Sequence, residues 1–153
     1  MSRVRVAVAA LSVSAATLVG IAVHEDYRGE AYVPVAGDKP TIGFGETSGV
    51  RMGDRTTPVR ALIQLQRSAE RHAQAVRDCA PVPMYQHEFD AYVSLTYNIG
   101  TVAFCNSTLA RKLKALDYEG ACREILKWDK FRGRPLSGLT KRRQEEYRLC
   151  TGT

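Results

Sequence analysis

The spacing of apolar and polar residues divides the chain into an apolar leader, a short glycine-rich region and a helical body. The leader is an uncharged run over residues 6–23 that follows Arg3 and Arg5. Its 18 residues are just enough to cross the hydrocarbon core of a bilayer. Because the run consists mainly of Ala and Val and is interrupted by Ser, Thr and Gly, it would insert into a membrane only weakly.

Two short strands and a long helix are predicted directly beyond the leader. Residues 30–33 and 41–44 are extended segments bounded by Pro and Gly, which is typical of a small sheet. The long helix begins at Pro58, with Thr56 or Thr57 as its cap. Its predicted core face consists of Val59, Leu62, Ile63, Leu65, Ala69, Ala73 and Val76.

Further helices form the predicted body of the protein. One covers residues 85–99, since apolar side chains recur at helical spacing and Gly100 ends the pattern. Its inward-facing residues are Phe89, Tyr92, Val93 and Thr96. Shorter helices are predicted over residues 108–115, 118–127 and 139–149. The fold class is therefore α+β, with a small glycine-rich sheet, a mainly helical body and a cleft between them.

Length and charge limit the classes of protein to which the chain can belong. With 153 residues it has the size of one domain, and 44% hydrophobic and 25% charged residues are an ordinary globular composition. The formal charge of +6 favours polyanionic partners such as nucleic acid, anionic membranes or bacterial envelope polymers. A nucleic-acid partner is disfavoured because the basic residues are dispersed and form no recognised binding motif.

The cysteines bear on metal binding and on the compartment of the protein. All four are too widely spaced for a zinc site, namely Cys79, Cys105, Cys122 and Cys150. We therefore expect no metal and no cofactor. An even number of cysteines suits two disulfides in an exported protein and four buried thiols in a protein that stays inside the cell.

The candidate chemistry lies in residues 24–46. Glu25 directly follows the hydrophobic run, Asp38 lies in a turn, and Thr41 begins a glycine-lined strand. Two acids and a hydroxyl in this arrangement suit hydrolysis of a glycosidic bond, because one carboxyl donates a proton to the leaving oxygen and the other stabilises positive charge or activates water. Partial desolvation at a helix end would favour the protonated form that a donor needs.

This stretch and several later segments resemble the phage lysozymes of the T4-lysozyme-like endolysin family, glycoside hydrolase family 24. The likeness rests on Glu25, on the block Thr41-Ile42-Gly43-Phe44-Gly45, on residues 88–91, 97–100 and 104–109, and on Lys141-Arg142-Arg143. It implies a lysozyme-like fold and a muramidase that hydrolyses the β-1,4 bond between MurNAc and GlcNAc in peptidoglycan. Glu25 matches the catalytic glutamate of the family. Thr41 matches the catalytic threonine, which would position the attacking water.

The chain departs from the family pattern at the second acid. The pattern places this acid at the position of Pro34, and the connection to Thr41 is one residue longer in this chain. We expect the acid to have moved to Asp38, the only carboxylate in the turn; the alternative is an Asp that hydrogen-bonds its own backbone. Asp26 and Glu30 are weaker candidates.

Three nearby positions have open interpretations. Thr41 could be a plain strand residue. Either Arg142 or Arg143 could pair with Glu25 across the cleft, although both could equally belong to a solvated basic face. Glu46 stands where relatives often have His, and no role is assigned to it.

The leader is similar to the signal-anchor-release segments of certain phage endolysins. These segments enter the inner membrane through the host secretion machinery and leave it for the periplasm when a holin depolarises the membrane. The resemblance implies such a segment over residues 1–23 and a monomeric catalytic domain over residues 24–153. The alternative is a cleavable signal peptide that ends at Gly20-Ile21-Ala22. We favour retention, because cleavage would leave Glu25 beside a free terminus.

Two further expectations follow from the resemblance. In the exported protein, disulfides would join Cys79 to Cys105 and Cys122 to Cys150. If no side chain replaces the acid absent at Pro34, the alternative function is a membrane-tethered, non-catalytic peptidoglycan-binding protein with a lysozyme fold.

Overall fold

The computed structural model describes residues 4–153, which form seven α-helices and two small antiparallel sheets. The small lobe contains strands β1 (Arg28–Tyr32) and β2 (Thr41–Gly43). The hairpin strands β3 (Lys130–Phe131) and β4 (Arg134–Pro135) lie in the helical body. The helices are α1 (Ala15–Glu25), α2 (Pro58–Cys79), α3 (Gln86–Ile99), α4 (Thr101–Cys105), α5 (Thr108–Lys114), α6 (Tyr118–Ile125) and α7 (Ser137–Thr151).

The described part of the leader packs against the helical body as several short pieces. Val6 pairs with Met84 through two backbone hydrogen bonds of 3.0 and 2.8 Å, and a 3-10 turn follows over Val8–Ala10. Helix α1 begins only after Ser14, whose hydroxyl accepts the Thr17 N–H at 3.2 Å. In the range 4–153, no helix is both long enough and apolar enough to span a bilayer.

Apolar side chains of the leader belong to the core. Val8 and Leu11 join the main core, which centres on α3, and Ile21 joins a smaller cluster with Leu65 and Ala69 of α2. Ile21 is fully buried. The leader therefore contributes to both clusters of the folded protein.

The small sheet forms where the sequence predicts it. Strands β1 and β2 pair antiparallel, with Arg28 opposite Gly43 and Tyr32 opposite Thr41, and an irregularity lies between these two pairs. Beyond β2 the chain turns sharply, so that Ile42 and Glu46 exchange backbone hydrogen bonds of 2.9 and 3.0 Å. The turn encloses Phe44 and Gly45, the last two residues of the segment 41–45, which we call the glycine block.

Helix α2 begins at Pro58 as predicted, and its cap is Thr57. The predicted core face is correct for its later residues, but wrong for Val59, Leu62 and Ile63, which are 67%, 50% and 47% exposed. The small lobe covers the opposite side of the first turns: a Cβ added at Gly43 would lie 3.1 Å from the Cβ of Ala61. The buried face of α2 consists of Ala61, Leu65, Ser68, Ala69, Ala73 and Val76.

Helix α3 is the central element of the body. Every residue from position 88 to position 96 is buried, and Gly100 ends the helix with a φ of 92°. The four predicted inward residues are all fully buried. Helix α4 and the β3–β4 hairpin are additions to the prediction, because segments of two to five residues are too short for a periodic pattern.

The two disulfides predicted from the family resemblance are confirmed. Cys79–Cys105 joins the end of α2 to α4, with a Cα–Cα distance of 5.3 Å. Cys122–Cys150 joins α6 to α7, with a Cα–Cα distance of 5.8 Å. Both bridges connect elements of the helical body, far along the chain from the small sheet.

Candidate active site

Glu25 is the last residue of α1, and the chain changes direction immediately after it. Asp26 has φ 58° and ψ 166°, a conformation that ends the helix, and its carboxylate accepts the Tyr27 N–H at 2.8 Å. The carboxyl group of Glu25 lies against Gly45, where an added Cβ would come within 2.9 Å of Glu25 Oε2. The helix end thus brings Glu25 onto the glycine block.

Arg142 of α7 is the ion-pair partner of Glu25. Its Nη1 donates to Glu25 Oε1 at 2.7 Å, while its Nε and Nη2 donate to Glu146 Oε1 and to the Ser94 carbonyl at 3.2 and 3.3 Å. The Arg142 side chain is 6% exposed and that of Glu25 is 20% exposed. Three acceptors therefore hold the guanidinium group of Arg142 in place. Arg142 in turn holds one carboxyl oxygen of Glu25, whose side chain remains partly accessible.

Arg143 forms no hydrogen bond or ion pair with Glu25 in the described part of the chain. It is fully buried and pairs with Glu146, with 2.8 Å between Nε and Oε2. Burial lowers the pKa of Arg143 and raises the pKa of Glu146, and their mutual attraction opposes both changes. Glu146 supports both arginines, a role that sequence reasoning missed because an acid beside a basic run has no signal of its own.

Tyr97 of α3 holds the glycine block in place. Its hydroxyl donates to the Phe44 carbonyl at 2.8 Å, and its ring lies 4.9 Å from that of His72 of α2. Burial, aided by the negative charge of Glu25, raises the pKa of Tyr97 to about 12. Burial lowers the pKa of His72. Tyr97 therefore remains a neutral hydrogen-bond donor at physiological pH.

The other two predicted site residues are Asp38, in the connection from β1 to β2, and Thr41, the first residue of β2. Thr41 is buried at the start of β2, and its hydroxyl donates to the Lys39 carbonyl at 3.2 Å. Asp38 is exposed, and its backbone N–H donates to the Val35 carbonyl at 2.9 Å. Among residues 4–153, no hydrogen bond or ion pair joins the Asp38 carboxylate to Glu25 or Thr41. The fold thus joins Glu25 to the glycine block and leaves Asp38 in solvent.

Two residues that flank the site have their own partners. Glu46 is buried and accepts the N–H groups of Thr47 and Ser48 at 3.0 and 2.8 Å, while its other oxygen lies 3.4 Å from Arg71 of α2. His24 pairs with Glu145 at 3.2 Å, and burial together with the charge of Arg142 lowers its pKa. Glu46 thus links the turn after the glycine block to α2. The signal for this link is its position directly after the block.

Comparisons with known proteins identify a protein family and several relatives of this chain. The chain matches the phage lysozyme family over residues 22–146. An endolysin of Acyrthosiphon pisum secondary endosymbiont phage 1 is 38% identical over 143 residues, which are 91% of this chain and 97% of that protein. A SAR-endolysin of Pseudomonas phage phiKMV is 32% identical over 140 residues, which are 89% of this chain and 86% of that protein.

The fold is shared with a solved muramidase domain. The muramidase domain of SpmX from Asticaccaulis excentricus superposes with a TM-score of 0.83 at 29% identity, over 92% of this chain and 97% of that one. The expected α+β, lysozyme-like fold is therefore confirmed. With the family match and the two endolysin relatives, the chain belongs to the phage lysozyme family.

Proposed function

We propose that the protein is a peptidoglycan-degrading endolysin, an N-acetylmuramidase that hydrolyses the β-1,4 bond between MurNAc and GlcNAc. The observation that carries the proposal is the placement of Glu25: a partly exposed carboxyl group at a helix end, held by Arg142 and packed on Gly45. Membership of the phage lysozyme family supports glycosidic bonds as the target.

In this mechanism Glu25 is the proton donor. Arg142 binds Oε1, whereas Oε2 forms no hydrogen bond within the described part of the chain and is the oxygen left to act on the substrate. The proton of Glu25 passes to the glycosidic oxygen as its bond to the sugar carbon breaks. The Thr41 hydroxyl positions the water whose oxygen bonds to the same carbon. The Asp38 carboxylate stabilises the developing positive charge or accepts the proton of that water, which requires the exposed turn to close on the substrate.

Replacing each carboxyl group by its amide tests these roles on purified sacculi, with reducing-end analysis of the products. Glu25→Gln keeps the shape but removes the proton, so activity should fall by about 10²- to 10⁴-fold with folding intact. Asp38→Asn should also lower activity if Asp38 takes part. Glu30→Gln is the matched control, because Glu30 lies in the same lobe and its ion pair with Arg55 is exposed.

Each outcome of this experiment has a definite meaning. Undiminished turnover by Glu25→Gln would remove Glu25 from the mechanism and contradict the proposed chemistry. Wild-type turnover by Asp38→Asn would leave Glu25, Thr41 and water as the reacting groups. A loss in Glu30→Gln alone would assign the second acid to Glu30, the weaker candidate, whereas equal losses in Glu30→Gln and Asp38→Asn would indicate a general effect of charge in the small lobe.

We further propose that residues 1–23 are a retained signal-anchor-release segment. In this proposal the host secretion machinery inserts the chain into the inner membrane, the catalytic domain faces the periplasm, and a holin triggers release. The similarity to a SAR-endolysin supports it. So does the burial of Val8, Leu11 and Ile21, since cleavage after Ala22 would remove all three from the core. The packed leader corresponds to the released form.

A further inference from the structure

Helix α2 carries three arginines that line an open pocket. The pocket lies between α2 and the residues that directly follow the glycine block. Arg60, Arg67 and Arg71 lie on one face of the helix, because their spacing of seven and four residues matches whole turns. The pocket has a volume of about 350 Å³, and Glu46 and Ser48 also line it. Glu25, Asp38 and Thr41 do not, so the pocket is separate from the candidate active site.

The pocket carries an excess of positive charge. Arg71 is paired with the buried carboxylate of Glu46. Arg60 and Arg67 are exposed and form no ion pair with any residue of the described range. Glu46 is itself satisfied by two backbone N–H groups and by Arg71. Two guanidinium groups are therefore free for an external anion.

The remaining lining indicates what kind of anion fits. Ile63 contributes an apolar wall that is 47% exposed, and Ser48 contributes a hydroxyl group. A guanidinium group presents paired N–H donors that match the two oxygens of a carboxylate. An aliphatic chain that ends in a carboxylate could place its chain on Ile63 and its oxygens on Arg60 and Arg67. The concave shape suits such a chain better than the flat surface of a bilayer.

We propose that this pocket binds the carboxylates of the peptide side chains that branch from the peptidoglycan strand. The proposal rests on the proposed function, because it assumes that peptidoglycan is the substrate. Binding there anchors the strand at a distance from the bond that Glu25 cleaves. This contact would stabilise the bound strand equally before and during the chemical step. Its loss should therefore weaken affinity and raise KM but leave kcat unchanged.

The test distinguishes binding to the peptide from binding to the sugar chain. Binding is measured by co-sedimentation with intact sacculi and with glycan strands freed of peptide by an amidase, in a Glu25→Gln background that removes turnover. The Arg60→Gln/Arg67→Gln variant should bind intact sacculi at least about tenfold more weakly, since each charge-assisted contact is worth about that factor. Its binding to peptide-free strands should be unchanged.

Matched controls exclude a general effect of charge. Lys114→Gln/Arg148→Gln removes the same two charges from exposed positions on α5 and α7 and should bind both materials as the parent does. An equal loss in the control variant, or an equal loss on peptide-free strands, would overturn the proposal. It would also be overturned if the pocket variant lost only its binding to phosphatidylglycerol vesicles, because the pocket would then serve a membrane.

The proposed function is decided by a different measurement in the same experiment. Protein with Glu25 intact either releases new reducing ends from sacculi or does not. Absence of hydrolysis would contradict the muramidase proposal whatever the binding data show. Hydrolysis with unchanged binding by the pocket variant would contradict the peptide pocket alone.

Discussion

Arg142 and Gly45 hold the side chain of Glu25 from two sides. Arg142 reaches three acceptors at once, on α1, α3 and α7. A lysine ammonium has no planar fork of donors and could not satisfy the same three acceptors in these directions. Gly45 is required both for its φ of +81° and for the space that its missing Cβ leaves to Glu25 Oε2.

Gly45→Ala should therefore reduce activity more than it reduces stability. A non-glycine residue at positive φ costs about 1–2 kcal/mol, and the new Cβ would also displace the Glu25 carboxyl group. A displacement of about 1 Å can cost about 10²-fold in rate. Gly49→Ala is the control, because Gly49 has φ +71° but open space around it. Urea unfolding and assays on sacculi should show similar destabilisation for both variants and a large loss of activity for Gly45→Ala alone.

Near-wild-type activity in both alanine variants would contradict this account of Gly45. The carboxyl group of Glu25 would then tolerate movement, and its contact with the glycine block would not be needed for catalysis. Equal and large losses in both would instead point to flexibility of the small lobe as the determining property.

Local signals in the sequence predict several elements correctly. Thr57 and Pro58 begin α2, Gly100 ends α3, and the Pro- and Gly-bounded segments form β1 and β2. Each of these depends on the conformational preference of one or two residues. The apolar run also predicts Glu25 at the end of a helix, and the family resemblance predicts both disulfide pairings.

Features that depend on distant contacts could not be predicted from sequence. The choice of Arg142 over Arg143 depends on the rotation of α7 against α1, and the partner of Glu46 depends on the approach of α2. The sequence shows one uninterrupted apolar run over residues 6–23, yet in the structure the pairing of Val6 with Met84 and a 3-10 turn precede α1. Which face of α2 the small lobe covers is likewise a tertiary property.

The corrected face of α2 gives a prediction for two leucines three residues apart. Leu65 is 3% exposed within the cluster that includes Ile21, whereas Leu62 is 50% exposed. Leu65→Ala should lower the free energy of unfolding by about 2–5 kcal/mol, because it leaves a cavity between α1 and α2. Leu62→Ala should change it by no more than about 0.5 kcal/mol. Equal destabilisation in urea titrations would show that the first turns of α2 are covered after all.

For the molecule as a whole, the proposed release of residues 1–23 from the membrane gives the leader two competing environments. In the folded protein it contributes Val8, Leu11 and Ile21 to the core. In a bilayer its Ala-rich composition gives only a few kcal/mol of insertion free energy by the usual apolar increments. Because this insertion free energy is so small, a few substitutions are enough to shift the distribution of the protein between the membrane and the folded state. Positions that face solvent in the folded state allow this without disturbing the core.

Ser12 and Ala16 meet that requirement, and the half-buried Gly20 has open space for a side chain. Ser12 and Ala16 are exposed, and a Cβ at Gly20 meets no atom within 4 Å. Changing all three to Leu adds roughly 1–2 kcal/mol in favour of the membrane, or about tenfold in partition. We expect full-length protein to accumulate in the inner-membrane fraction, with delayed lysis, while the purified soluble variant still degrades sacculi. Gln at the same positions should shift the protein toward the periplasm. If mass spectrometry of active periplasmic protein shows an N-terminus at Val23, the leader is a cleaved signal peptide and the release proposal is wrong.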